Sequence, residues 1–325
     1  MTTQKLSSRH VVFGAGAVGS SLAAVLVRRG IAPDAVTLVS RTGAAPATPG
    51  VTVRRGDVAD RGTAVAAARG ADVVYQVLNP PYHRWAQEFP TLEDNVVAAA
   101  EAAGARLVVL ENVYGYGHPV RGEAFTEESP LKPASRKGEV RVAMHERLLA
   151  AQRAGRVEIA VGRASDYYGP GSGRQSPIGD EVVAAALANG RAKVVGDPDQ
   201  PHTYSWIPDI AEGLATLGTH PAAAGRVWHL PNDPDTRTTR GMIDDMFRLA
   251  GHGPARLQKA PAWLLRAIGL RQPAAAEIVE MLYEFREPFV VDSSRITREL
   301  GVTATPYGTA LARTMQHAQT VRAVA

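Results

Sequence analysis

An apolar run, Val11-Val12-Phe13, leads directly into Gly14-Ala15-Gly16-Ala17-Val18-Gly19 and then into a stretch that carries Leu22, Val25 and Leu26 at helical spacing. Strand, GxGxxG and helix in that order form a phosphate cradle. Gly14 permits the tight turn, Gly16 lets a pyrophosphate approach the backbone, and Gly19 lets strand and helix pack closely. The phosphate charge then meets a helix N-terminus, where unpaired amides converge. Gly14, Gly16, Ala17, Val18 and Gly19 are therefore expected to hold a dinucleotide.

The second apolar run ends in Val39-Ser40-Arg41-Thr42. An acid at this place would accept from a ribose 2′-hydroxyl. Ser40 and Arg41 offer donors to a 2′-phosphate instead, so NADP(H) is expected ahead of NAD(H). Asp57 and Val58 are expected beside the adenine, and Leu78, Asn79 and Pro80 beside the nicotinamide ribose. Tyr114 follows the fifth strand, at the carboxyl end where ligands collect in such sheets, and is a candidate proton donor. Tyr82, Trp85, Asp166, Tyr167, Tyr204 and Trp206 are expected to wall a substrate site. No metal is expected: there is no cysteine, and the nine histidines form no HExxH pair. Hydrolase chemistry lacks its GxSxG elbow.

The elements that would position these residues alternate through the first half. Strands are predicted at 10–13, 36–39, 72–78, 106–110 and 158–162, and helices at 17–29, 63–68, 92–103 and 139–155. Strands apolar on both faces and separated by helices require crossover connections, hence a parallel sheet covered on both sides. The expected fold is α/β, a Rossmann-type doubly wound parallel sheet with a smaller, mostly helical C-terminal substrate lobe. Residues 1–169 would form the dinucleotide-binding domain, with 205–230 returning to it through a helix at 209–217 and a strand at 226–230. Residues 170–204 and 231–325 would form the lobe, with a helix at 180–189, a strand at 193–195, and helices at 240–250, 262–268, 275–285 and 309–322.

Composition narrows the class. The 325 residues carry 45% hydrophobic content and a net charge of +4, with arginines spread along the chain rather than gathered in a block. A nucleic-acid partner is not expected, and no apolar run reaches the roughly 18 residues of a membrane span. The polar start without a small-residue cleavage site and the lack of cysteine suit a reducing, cytoplasmic setting.

Beyond the glycine motif the chain resembles the extended short-chain dehydrogenase/reductase superfamily of the NAD(P)-dependent epimerase/dehydratase type. Asp57-Val58, Asn95, the stretch from Glu111 to Gly117, the stretch from Arg163 to Gly171 and the segment from Trp206 to Ala211 carry the resemblance. The likeness implies that Asn95 is the helix asparagine of a catalytic tetrad. The family's Ser/Thr position falls on Asn112, and its Tyr-x-x-x-Lys pair falls on Lys137 and Arg141. In that family the tyrosine is the acid/base, while the lysine lowers its pKa and holds the nicotinamide ribose. By the same alignment Lys137 is a candidate proton donor and cofactor contact. Arg141 cannot shuttle a proton and is a candidate holder of ribose hydroxyls or a substrate carboxylate. The stretch from Arg163 places Asp166 where the family pattern has asparagine.

The expected activity is NADP(H)-dependent hydride transfer to a small organic carbonyl or conjugated enone. Two alternatives stand beside it: a non-catalytic NADP(H) sensor, motivated by the replaced Tyr/Lys pair, and a sugar-nucleotide epimerase or dehydratase. The resemblance also implies a homodimer.

Overall fold

The structure is a computed structural model that describes residues 8–45, 48–120, 122–173, 176–259 and 279–324. Seven strands form its central sheet: β1 (His10–Phe13), β2 (Val36–Ser40), β3 (Thr52–Arg55), β4 (Val73–Gln76), β5 (Arg106–Asn112), β6 (Ile159–Ala164) and β10 (Val227–His229). Their order is β10-β6-β5-β4-β1-β2-β3, and every neighbouring pair is parallel. The doubly wound Rossmann architecture expected from the alternation is the one found. The order of the chain reverses between β1 and β4, which opens a crevice at the carboxyl ends of those strands.

Burial on both faces explains the unbroken apolar runs. All four residues of β1 and all four of β4 are buried. One face packs on α1 (Ala17–Arg28) and α6 (Ile207–Thr219) through Leu22, Leu26, Ile210 and Leu214. The other packs on α2 (Arg61–Ala68), α3 (Trp85–Ala103) and α4 (Arg136–Arg153) through Ala64, Val96 and Leu148. Each fully buried leucine or valine contributes about 1.5–3 kcal/mol relative to exposure.

Helices α3 and α4 begin three or more residues earlier than their periodicity predicts. Helix α3 starts at Trp85 rather than 92, because Pro90 reads as a breaker yet lies inside the helix. The turn before Pro90 is anchored by burial: Phe89 packs edge-on against Trp85 at 5.1 Å, and the Trp85 indole donates to the Pro80 carbonyl at 2.9 Å. These contacts outweigh the hydrogen bond that Pro90 cannot donate. Helix α4 starts at Arg136 rather than 139 because the Ser135 hydroxyl accepts from the Gly138 amide at 3.1 Å, capping the orphan donors.

After β6 the chain forms β7 (Asp166–Tyr168), which pairs in parallel with β9 (Tyr204–Trp206). The remaining described elements are α5 (Asp180–Leu187), β8 (Arg191–Val194), α7 (Thr239–Leu249), β11 (Arg256–Lys259), α8 (Ser294–Leu300) and α9 (Tyr307–Val324). Their shared core contains Tyr204, Trp206, Met242, Phe247 and Leu311. The helix expected at 262–268 lies outside the described residues. So do residues 275–278 of the one at 275–285, whose last turn, Leu282–Phe285, is a 3-10 helix. No helix among the described residues is long and apolar enough to cross a membrane.

Candidate active site

The glycine turn closes on itself with no room to spare. Gly14 has φ +113°, and a Cβ there would stand 2.8 Å from the Val77 carbonyl oxygen. A Cβ on Gly19 would stand 1.9 Å from the Gly14 carbonyl oxygen, which only glycine avoids. Gly16 differs: an added Cβ would meet nothing within 4 Å. Its outer face is open, at the N-terminus of α1.

Two cavities meet at this turn, and Gly16, Val77, Leu78 and Asn79 line both. The larger, about 570 Å³, runs outward past Ser40, Arg41, Asp57, Val58 and Pro80 to Arg84 and Gln87 on α3. The Asp57 carboxylate accepts from the Ala59 amide at 3.0 Å and shapes this rim. Asn95, a catalytic helper by resemblance, is a buttress here: its amide donates to the carbonyls of Val58 and Ala59 at 2.8 and 2.9 Å.

The smaller cavity, about 260 Å³, is lined by Ala17, Val18, Tyr82, Trp85, Asn112, Tyr114, Arg141, Asp166 and Tyr167 among others. Tyr82 and Tyr114 join hydroxyl to hydroxyl at 2.9 Å. Burial pushes both phenols up, and the Asp166 carboxylate pushes them further, so both keep their protons at neutral pH. The Asn112 side chain accepts from the Tyr114 amide at 3.3 Å and sets the turn that presents this tyrosine.

Arg141 is 8% exposed, with its guanidinium 4.5 Å from the Trp85 ring centre and 4.2 Å from that of Phe89. Its Nε and Nη1 have no hydrogen-bond partner among the described residues. The rings fix its plane, so a donor group stands at the cavity wall already oriented.

A buried ionic network lies beneath. Glu111 on β5 accepts from Arg163 Nε at 2.9 Å and pairs with His145 Nδ1 at 3.0 Å. Burial works against its charge, but Arg163 and His145 overcome this and hold the carboxyl at about 2. Arg163 also donates to the Tyr116 hydroxyl at 2.9 Å, and Tyr116 lies 2.6 Å from His229 Nε2. Burial pulls His229 down to about 4, so the neutral ring accepts from Tyr116 while Nδ1 donates to the Asp292 carbonyl at 2.7 Å.

Glu93 is the opposite case. Neither carboxyl oxygen has a hydrogen-bond partner among the described residues, and burial first, then the Glu111 charge, push it up to about 8. A folded value above the unfolded 4.5 means that stability is lost as pH rises from 4.5 through about 8. Glu93→Gln is therefore expected to raise the melting temperature, by an increment that grows with pH across that window. Thermal unfolding of the two proteins at pH 5, 7 and 8 checks it, and an increment independent of pH would contradict it.

The structure corrects three assignments made from the sequence. Lys137, expected as proton donor and cofactor contact, does not line either cavity. It is 2% exposed, with Nζ 2.8 Å from Glu280 and 5.4 Å from the Tyr82 ring centre, because it sits one helical turn before Arg141 and only the latter reaches the cavity. Tyr204 and Trp206, expected as substrate walls, lie in the lobe core: Tyr204 bonds the Thr239 hydroxyl at 2.8 Å and Trp206 donates to that of Thr314 at 3.1 Å. Sequence reasoning missed Arg84, Gln87 and Thr91, which wall the larger cavity from the turns of α3 hidden by Pro90. It also missed the whole Glu111 network, whose charged residues sit inside otherwise apolar strands.

Comparison with known proteins bears on the family and the fold. The model of the "NAD dependent epimerase/dehydratase family" matches residues 11–230. An uncharacterized protein, y4nL, of Sinorhizobium fredii is 28% identical over 143 residues, 43% of this chain and 39% of its own. A dTDP-6-deoxy-L-talose 4-dehydrogenase (NAD(P)(+)) of Kitasatospora kifunensis is 30% identical over 195 residues, 56% of this chain and 58% of its own. The chain thus spans between about two fifths and three fifths of these relatives. The fold matches the crystal structure of DesIV, a dTDP-glucose 4,6-dehydratase of Streptomyces venezuelae with NAD and TYD bound, at TM-score 0.75 and 21% identity over 97% of this chain and 98% of that one.

Proposed function

The chain belongs to the NAD-dependent epimerase/dehydratase family, and from that premise we propose that it is an NADP(H)-dependent oxidoreductase acting on a small organic carbonyl or conjugated enone. One observation carries the reading: the two cavities share Gly16, Val77, Leu78 and Asn79 and so meet at the glycine turn, as a larger outer arm and a smaller inner arm. A dinucleotide laid across it would put its adenine half against Asp57 and Val58, its pyrophosphate on Gly16 and its nicotinamide in the inner arm. The nicotinamide, when bound, supplies or accepts the hydride. Arg141 would hold ribose hydroxyls or the substrate oxygen, and Tyr82, Trp85 and Tyr167 would confine the substrate.

The preference for NADP(H) rests on Arg41. The Ser40 hydroxyl is spent on its own turn, donating to the Ala44 carbonyl at 3.1 Å and accepting from the Gly43 amide at 3.1 Å. Arg41 is exposed at the cavity rim and is the group that would meet a 2′-phosphate. Arg41→Ala is expected to weaken NADPH binding about 10-fold while leaving NADH unchanged. Calorimetric titration of both nucleotides against both proteins checks this, and equal losses for the two would contradict it. Activity is tested by NADPH consumption on a panel of carbonyls and enones. The Kitasatospora relative's name favours a second reading in which the substrate is a sugar nucleotide, so dTDP-glucose and UDP-glucose belong in that panel.

A further inference from the structure

The inner arm needs a group that can give and take a proton, and its tyrosines are poorly placed to do so. Giving up the Tyr114 proton would leave a phenolate buried against Tyr82, Asp166 and Glu284, each of which opposes that charge. The nearby ammonium of Lys137 is paired with Glu280 at 2.8 Å. Glu284 itself is pushed well up by burial and by Asp166, and it does not line the inner arm.

His202 and Asp166 present a different arrangement. The ring of His202 is 2% exposed and stacks on Phe285 at 4.7 Å and on Phe289 at 5.4 Å, which fixes its plane. Its Nδ1 lies 3.2 Å from the Glu284 carbonyl oxygen, and its Nε2 lies 2.9 Å from Asp166 Oδ2. A carbonyl has no proton to give, so the Glu284 contact is a hydrogen bond only when Nδ1 carries the proton. Nε2 then either carries a second proton or receives one from the Asp166 carboxyl. With both contacts made as hydrogen bonds, the pair holds one proton more than a neutral imidazole and a carboxylate would. Asp166 lines the inner arm, so that proton is within reach of a bound substrate. Asparagine, the residue of the family pattern at this position, could not exchange it.

Resting on the oxidoreductase reading, we propose that the Asp166–His202 pair is the proton-exchanging group of the site, with Asp166 the catalytic residue and His202 its proton store. In the reductive direction the carbonyl π bond opens, the carbon gains the hydride, and the oxygen takes a proton from the pair by way of the Asp166 carboxyl. The bond finally broken is the one that held the extra proton, Nε2–H or the Asp166 O–H. What is left is a carboxylate beside a neutral His202 whose remaining proton stays on Nδ1, and solvent restores the proton spent. No phenolate forms, and Tyr82 and Tyr114 serve as hydrogen-bond donors that orient the substrate.

The test has two arms. In ligand-free protein labelled with isotopic histidine, nitrogen NMR at neutral pH reads the pair directly: the wild type should show the second proton on Nε2 or shared with Asp166, and Asp166→Asn should leave His202 with Nδ1–H and a bare Nε2. In turnover, Asp166→Asn should lower kcat about 100-fold or more with NADPH affinity unchanged, whereas Tyr114→Phe should cost about 10-fold at most. A wild-type His202 whose Nε2 is bare and unshared, or an Asp166→Asn enzyme with near-normal kcat, overturns the proposal. If the wild type binds NADPH but reduces nothing in the panel, the oxidoreductase reading itself fails, and the NMR arm, which needs no turnover, shows that failure separately.

Discussion

Gly16→Val is expected to abolish measurable cofactor binding, by about 100-fold or more in Kd, while leaving the fold intact. The two effects separate because of where Gly16 stands. Its backbone is extended, at φ −74° and ψ −166°, a conformation any residue adopts, and a Cβ there touches no protein atom within 4 Å. A valine is therefore accommodated in the free protein, with a stability change of about 0.5 kcal/mol or less. Its methyls fill the place where a pyrophosphate would approach the amides at the start of α1. Gly19→Ala is a poor substitute for this experiment, since the 1.9 Å approach to the Gly14 carbonyl would distort the turn and confound binding with folding. Thermal unfolding together with NADPH titration reads both quantities. A Gly16→Val protein that binds NADPH normally would remove the cradle from the account.

The largest stability effect is expected at Glu111. Glu111→Gln keeps the shape of the side chain and removes the charge that both Arg163 and His145 face. Arg163 would be left 4% exposed with its remaining bond to Tyr116, and stranding one partner of a buried ion pair costs about 3–5 kcal/mol. The pH dependence has a definite sign. The folded carboxyl titrates at about 2 and the ordinary one at 4.5, so its contribution is complete above 4.5 and is lost as pH falls from there toward 2. The variant should accordingly lose its disadvantage in acid. Urea unfolding of both proteins at pH 7 and pH 3 measures it, and a constant difference between the two pH values would contradict the assignment.

Much of the outer arm was legible in the sequence because its chemistry is made by backbone. Gly14, Gly16 and Gly19 announce themselves by type and spacing, and the strand end at Ser40-Arg41 can be read for the acid it lacks. The inner arm was less legible because side chains from distant segments build it. Helical periodicity puts Lys137 and Arg141 on one face of α4, but which of them reaches the cavity depends on how far the helix slides along the sheet. Pro90 hid the first turns of α3 and with them the polar wall of the outer arm. His202 lies in a loop-like stretch of alternating polar and aromatic residues, and only the pairing of β7 with β9 brings it to Asp166. Tyr204 and Trp206 were misread for the same reason: aromatics beside a site and aromatics in a core look alike until the lobe's packing is known.

Hydride transfer between a nicotinamide and a small organic substrate is tested most directly by following the hydrogen itself. NADPH carrying deuterium at the transferable position is incubated with the protein and the panel of carbonyls, enones and sugar nucleotides, and products are examined by mass spectrometry. Deuterium is expected on carbon in the reduced product of at least one small carbonyl or enone, with the label retained in the Tyr114→Phe enzyme and sharply diminished in the Asp166→Asn enzyme. Tight NADPH binding with no deuterium in any product would contradict hydride transfer.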